Sequence, residues 1–60
     1  MPGWVQCTRI DGRLVWINLN AATEIEVLDE ITTVIFARGD DVSVVHVREP
    51  PDKLLAARRQ

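Results

Sequence analysis

Sixty residues with a net charge of −2, one cysteine and one histidine exclude several classes at once. Cys7 has no partner for an intrachain disulfide, and Cys7 with His46 does not make a tetrahedral zinc set. A mildly acidic chain is also not built mainly to hold phosphate backbones.

A chain this short buries only about 60% of the surface its unfolded form exposes, so its own core is marginal. Small domains offset this with disulfides, a metal or a partner subunit. With the first two removed and an apolar content of 47%, self-association is the expected staple. No apolar stretch approaches the roughly 20 residues that span a bilayer. Met1-Pro2-Gly3-Trp4 lacks the basic and apolar regions of a signal peptide, and a lone thiol suits a reducing compartment. The chain is therefore expected to be cytoplasmic.

Residues 1–60 read as a single small β domain. Trp4–Ile10 and Arg13–Leu19 are rich in β-branched and aromatic residues and flank Asp11-Gly12, a preferred type I′ hairpin dipeptide. A two-residue turn pairs Ile10 with Arg13, Thr8 with Val15, Gln6 with Ile17 and Trp4 with Leu19. Those residues then share one face. Val5, Cys7, Leu14 and Trp16 take the other, with Arg9 and Asn18. Both faces carry large apolar groups, so the hairpin is expected either to be sandwiched inside a barrel or, the favoured reading, to have at least one face covered by another subunit. Trp4, Val5, Cys7, Leu14, Trp16 and Ile17 are the candidate interface.

Asn18–Thr23 reads as a turn or a single helical turn, because Asn18 and Asn20 can bond nearby backbone. A third strand is expected over residues 24–28, with Glu24 and Glu26 alternating with Ile25 and Val27. After the polar break Asp29-Glu30 comes a fourth strand over 31–38, an almost continuous apolar run and the expected most buried strand. Arg38-Gly39-Asp40-Asp41 turns the chain into a fifth strand over 42–47. Pro50-Pro51 ends the sheet and opens a helix over 51–59, with Asp52 in its first turn and Arg58-Arg59 in its last. Leu54 and Leu55 are its docking contacts. The expected fold is mainly β: a five-stranded antiparallel meander, as a curled sheet or small barrel, with a short C-terminal helix.

Thr8-Arg9-Ile10-Asp11-Gly12 resembles the opening of the small flagellar and swarming motility proteins of the FlbD/SwrD type. Asn18 after a strand, Ile25-Glu26 seven residues later, the turn glycine Gly39, and Val47, Glu49 and Pro50 before an amphipathic helix fall in step. The similarity runs from about Thr8 to Leu55. It implies a motility-related accessory or regulator and brings no catalytic residues. Ala22, where that family has a large aliphatic, and the Trp4/Trp16 pair depart from it.

The residues themselves offer no enzyme, cofactor or metal site. Cys7 reads as a small buried hydrophobe rather than a reactive thiol. His46 sits among valines with no nucleophile motif near it. Arg38-Gly39-Asp40 is a solvated turn. Asp11 and Asp29-Glu30 fall at one end of a regular meander and Asp40-Asp41 at the other, where carboxylates can ligate a hard cation but are more often solvated. Arg9, Arg13, Arg48, Arg58 and Arg59 with Trp4 and Trp16 raise an alternative, a small nucleic-acid-binding β barrel, although the two-residue register sets the tryptophans on opposite faces. The favoured reading is a non-catalytic homo-oligomeric module, a dimer or larger, that binds another protein.

Overall fold

The computed structural model describes residues 3–58. Its elements are β1 (Trp4–Thr8), β2 (Leu14–Asn18), a 3-10 turn (Leu19–Ala21), β3 (Glu24–Leu28), β4 (Ile31–Arg38), β5 (Asp41–Val47) and α1 (Pro51–Arg58). The expected helix end at Arg59 lies outside the described residues, as do Met1 and Pro2.

The single five-stranded meander is not what forms. Strands β1 and β2 make a two-stranded antiparallel sheet, β3, β4 and β5 a three-stranded one in that order, and the sheets do not close. The meander breaks after β2. There the Asn18 side chain accepts from the Asn20 N–H at 3.0 Å, capping the 3-10 turn and redirecting the chain before it can pair with β3. Contact between the sheets comes from the other end: Arg9 bridges Val47, and the Arg48 N–H donates to the Thr8 carbonyl at 2.9 Å.

The core lies between the inner face of the hairpin and that of the larger sheet. Val5, Cys7 and Ile17 come from the first and Leu19 from the 3-10 turn after it, Val34 and Val47 come from the second, and Leu54 of α1 completes it. Each of these is at most 5% exposed. Thr32 is buried beside them. Strands β3 and β4 occupy the expected residues, and β4 supplies the central strand of its sheet. The helix starts at Pro51, where a missing N–H costs nothing, and carries Asp52 in its first turn and Arg58 in its last. It is too short to persist in isolation, so the burial of Leu54 is what holds it.

Candidate interaction surface

The first hairpin turns differently from the two-residue expectation. The Gly12 N–H donates to the Arg9 carbonyl at 2.9 Å, and the Arg9 N–H donates to the Arg13 carbonyl at 2.8 Å. The loop is therefore three residues, Ile10-Asp11-Gly12, with only Gly12 at positive φ (94°). This is a type I turn closed by a glycine bulge. Asp11 reinforces it by accepting from the Arg13 N–H at 3.0 Å.

One extra loop residue shifts the register by one and exchanges partners across the hairpin. Val5 faces Ile17, Cys7 faces Val15, Gln6 faces Trp16 and Trp4 faces Asn18. The physical reason is burial. In the two-residue register Val15 and Ile17 would share a face with Thr8 and Gln6; in the observed one the aliphatic residues of both strands meet on one side. The expected assignment of Val5 and Cys7 to the Trp16 face is thus overturned, and so is the separation of the two tryptophans.

The outer face now reads Trp4, Gln6 and Thr8 on β1 and Leu14, Trp16 and Asn18 on β2. Trp4 is 41% exposed, Leu14 66% and Trp16 60%. Of the six candidate interface residues, the structure brings these three together on the surface and places Val5, Cys7 and Ile17 in the chain's own core. Trp16 is not covered by the chain itself.

Register also sorts the backbone. Arg9 with Arg13 and Gly3 with Leu19 are hydrogen-bonded pairs, the latter through the Leu19 N–H to the Gly3 carbonyl at 2.7 Å. In an antiparallel ladder such pairs alternate, so Cys7–Val15 and Val5–Ile17 also bond, while Leu14 and Trp16 point their N–H and C=O groups away from β1. Strand β2 is an edge strand, and neither residue's outward groups have a partner among the described residues.

On β1 the corresponding groups of Thr8 are occupied. The Thr8 N–H donates to both Glu49 carboxylate oxygens, at 2.8 and 3.0 Å, and the Thr8 hydroxyl donates to Oε2 at 2.9 Å. Partial burial pushes the Glu49 carboxyl up, but the bonds from Thr8, its own N–H and the Lys53 charge outweigh it and hold the group below its ordinary value. Burial pushes the nearby Cys7 thiol up to about 11, with the Glu49 charge adding to the effect. Cys7 is fully buried and weakly acidic, which makes it a packing residue. The Thr8–Glu49 clamp is invisible to local sequence reading, since its partners are 41 residues apart.

The remaining candidates are dispersed. The His46 ring Nδ1 lies 2.9 Å from the Thr33 hydroxyl on the outer face of the larger sheet. Among the described residues no group of three or more His, Cys, Asp or Glu is placed to hold a metal ion. Arg13 pairs with Asp11 at 3.3 Å, and Arg48 donates to the Ile10 carbonyl. Arg59 lies outside the described residues. A shallow groove of about 340 Å³ runs between Ile10, Leu28, Ile31, Thr33 and His46. No described helix is long and apolar enough to cross a membrane.

Comparison of the chain with protein-family models, with curated proteins and with solved structures returns no match.

Proposed function

We propose that this chain is a non-catalytic, self-associating protein-interaction module whose contact surface is the outer face of the first hairpin. The observation that carries this reading is Trp4, Leu14 and Trp16 standing exposed together on one face of a two-stranded sheet. A 60-residue domain with seven buried apolar residues among those described has little stability to spare for leaving indoles in water. Tryptophans in that position are the anchors that dominate protein interfaces.

The same face weighs against nucleic acid. It brings the tryptophans together, which removes one objection, but Gln6, Thr8, Leu14 and Asn18 are its other members and none is cationic. Phosphates would find no partner between the rings.

The motility-related role rests on the resemblance alone. Of the residues that carry it, Thr8, Gly12, Asn18, Gly39, Glu49 and Pro50 are turn, cap and clamp positions, while Ile25 and Val47 pack in or against the core. They support a shared architecture, whereas the exposed tryptophans are this chain's own. A cytoplasmic accessory or regulator of flagellar motility is the role the resemblance suggests, and loss of swarming on deletion of the gene is the expected phenotype. Unchanged motility removes that role.

Self-association is tested by light scattering across the micromolar range. The wild-type mass should rise above that of one chain, and a folded Trp4→Ser/Trp16→Ser double variant should stay monomeric. A compact wild-type monomer at every concentration overturns the proposal.

A further inference from the structure

We infer that two copies of this chain join through the open edge of β2, pairing antiparallel about a two-fold axis to form a continuous β1-β2-β2-β1 sheet. This deepens the self-association proposed above and rests on it.

Four strands have an edge that another chain can approach, and three of them are occupied or carry charge. On β1 the Thr8 groups are taken by Glu49 and Arg48, and α1 packs along the strand. On β5 Arg9 bridges Val47, an open cleft lies between Arg9-Ile10-Asp11 and Val44, Val45 and His46, and Asp41 sets a charge at the far end of the edge. Strand β3 carries Glu24 and Glu26 on one face, and pairing it with its own copy about Ile25 sets Glu24 against Glu26. Like charges directly opposite are destabilising in a sheet.

Strand β2, Leu-Val-Trp-Ile-Asn, has none of these protections. It carries no charge, no proline and no bulge, the devices by which edges avoid pairing. A hydrophobic, uncharged edge of this kind is a template for strand addition.

The occupant follows from charge and closure. Self-pairing of β2 sets neutral residues against neutral residues. It consumes the open β2 edge of both copies and leaves the clamped β1 strands at the two ends of the joined sheet, so the assembly stops at two. Pairing β2 of one copy with β3 of the next would leave a free edge at each end and propagate without limit.

The register is also specified. Among the described residues of β2, only Leu14 and Trp16 have both backbone groups pointing outward without a partner, because the Asn18 carbonyl begins the 3-10 turn. A two-fold axis through Val15 sets Leu14 opposite Trp16 of the second copy and satisfies every outward donor and acceptor of both residues. Both outer faces then lie on the same side. Each Trp16 ring, 60% exposed in one copy, rests beside the other copy's Leu14, 66% exposed. Such a contact is smaller than the roughly 800 Å² per partner of a standard interface, so the dimer should dissociate in the micromolar range.

Amide hydrogen exchange on the unmodified chain, read residue by residue from micromolar to millimolar concentration, tests the pairing. The Leu14 and Trp16 amides should exchange at least about tenfold more slowly at the high end, while Val15 and Ile17, bonded to β1, stay protected throughout. A synthetic chain N-methylated at the Trp16 amide keeps every side chain and every bond within one copy, and its near-native circular dichroism verifies folding. Its dimerisation should weaken at least about tenfold. A dimer that persists with unprotected Leu14 and Trp16 amides overturns the edge pairing and leaves self-association standing. A wild-type chain that is monomeric at all concentrations, with both amides exchanging freely, overturns both.

Discussion

The β1–β2 reversal spends three residues and needs positive φ only at Gly12, whereas the β3–β4 reversal spends two and sets both Asp29 (51°) and Glu30 (66°) at positive φ. The favourable dipeptide, Asp11-Gly12, thus does not make the tight turn, and an unfavourable one, Asp29-Glu30, does. Burial explains the inversion. In the first hairpin a tight turn would bury Gln6 and Thr8 with the aliphatic residues, so the chain takes the looser loop. In the second, Leu28–Ile31 pairing aligns Ile25 with the buried Val34 and keeps Thr32 and Val34 on the core side, and the turn bears the conformational cost. Turn preferences span about 1–2 kcal/mol, less than the several kcal/mol at stake when a whole hairpin face changes sides.

The hairpin and the larger sheet are held together by little, and the largest expected effect comes from removing their common contact. Leu54, 1% exposed, packs in the cluster with Val5, Cys7 and Ile17 of the hairpin and Val34 and Val47 of the sheet. Leu54→Ala should cost about 2–5 kcal/mol, which approaches the full stability expected of so small a domain. Urea denaturation of a stable Leu54→Ala chain with a near-wild-type midpoint would show that the two sheets support each other without the helix.

The Glu49 clamp is the polar counterpart of that contact. Glu49→Ala strands the Thr8 N–H and hydroxyl and should cost about 1–3 kcal/mol at neutral pH. The effect has a defined pH dependence. The folded-state carboxyl lies below the ordinary value of 4.5, so its contribution is complete above 4.5 and is lost as pH falls through the folded value. Wild type and variant should therefore converge in acid. A constant difference across that range would mean the carboxylate's charge contributes nothing.

The turn comparison is tested by relieving the strained side. Glu30→Gly removes a side chain from the left-handed region and should stabilise the chain by about 0.5–1 kcal/mol. Asp29→Gly should gain less, since aspartate tolerates that region better. A Glu30→Gly chain less stable than wild type would show that the Glu30 side chain supports the turn.

Much of this was readable from the residues, and the failures have a common source. Glu24–Leu28 and Ile31–Arg38 are bounded by polar turn residues, and Pro51 opens the helix, so local chemistry sets those bounds. Gly39 alone is at positive φ in its turn, as a glycine-first reversal requires. Asp11-Gly12, by contrast, fits both a two-residue and a three-residue loop, and only the position of the core decides between them. The split into two sheets, the Arg9–Val47 bridge and the Thr8–Glu49 clamp depend on contacts between distant parts of the chain, which no local window contains. The interface candidates divided along the same line: strand alternation grouped each strand's residues correctly, and the register between strands decided which group met solvent.

The smallest expected effect is the sharpest test of that register. Trp16 and Ile17 are neighbours in β2, yet Trp16 is 60% exposed and Ile17 5%. In the two-residue register Trp16 shares a face with Val5 and Cys7, and truncating a buried indole would cost about 3–5 kcal/mol. In the observed register Trp16→Ala in dilute solution should cost less than about 1 kcal/mol, while Ile17→Ala should cost about 2–4 kcal/mol. Concentration separates folding from association, because a Trp16 ring that is buried only against a second copy affects stability only where that copy is bound. Thermal melts at low and high concentration should coincide for Trp16→Ala and diverge for wild type. If Trp16→Ala is the more damaging of the two in dilute solution, the tight turn forms after all and the aromatic face belongs to the core.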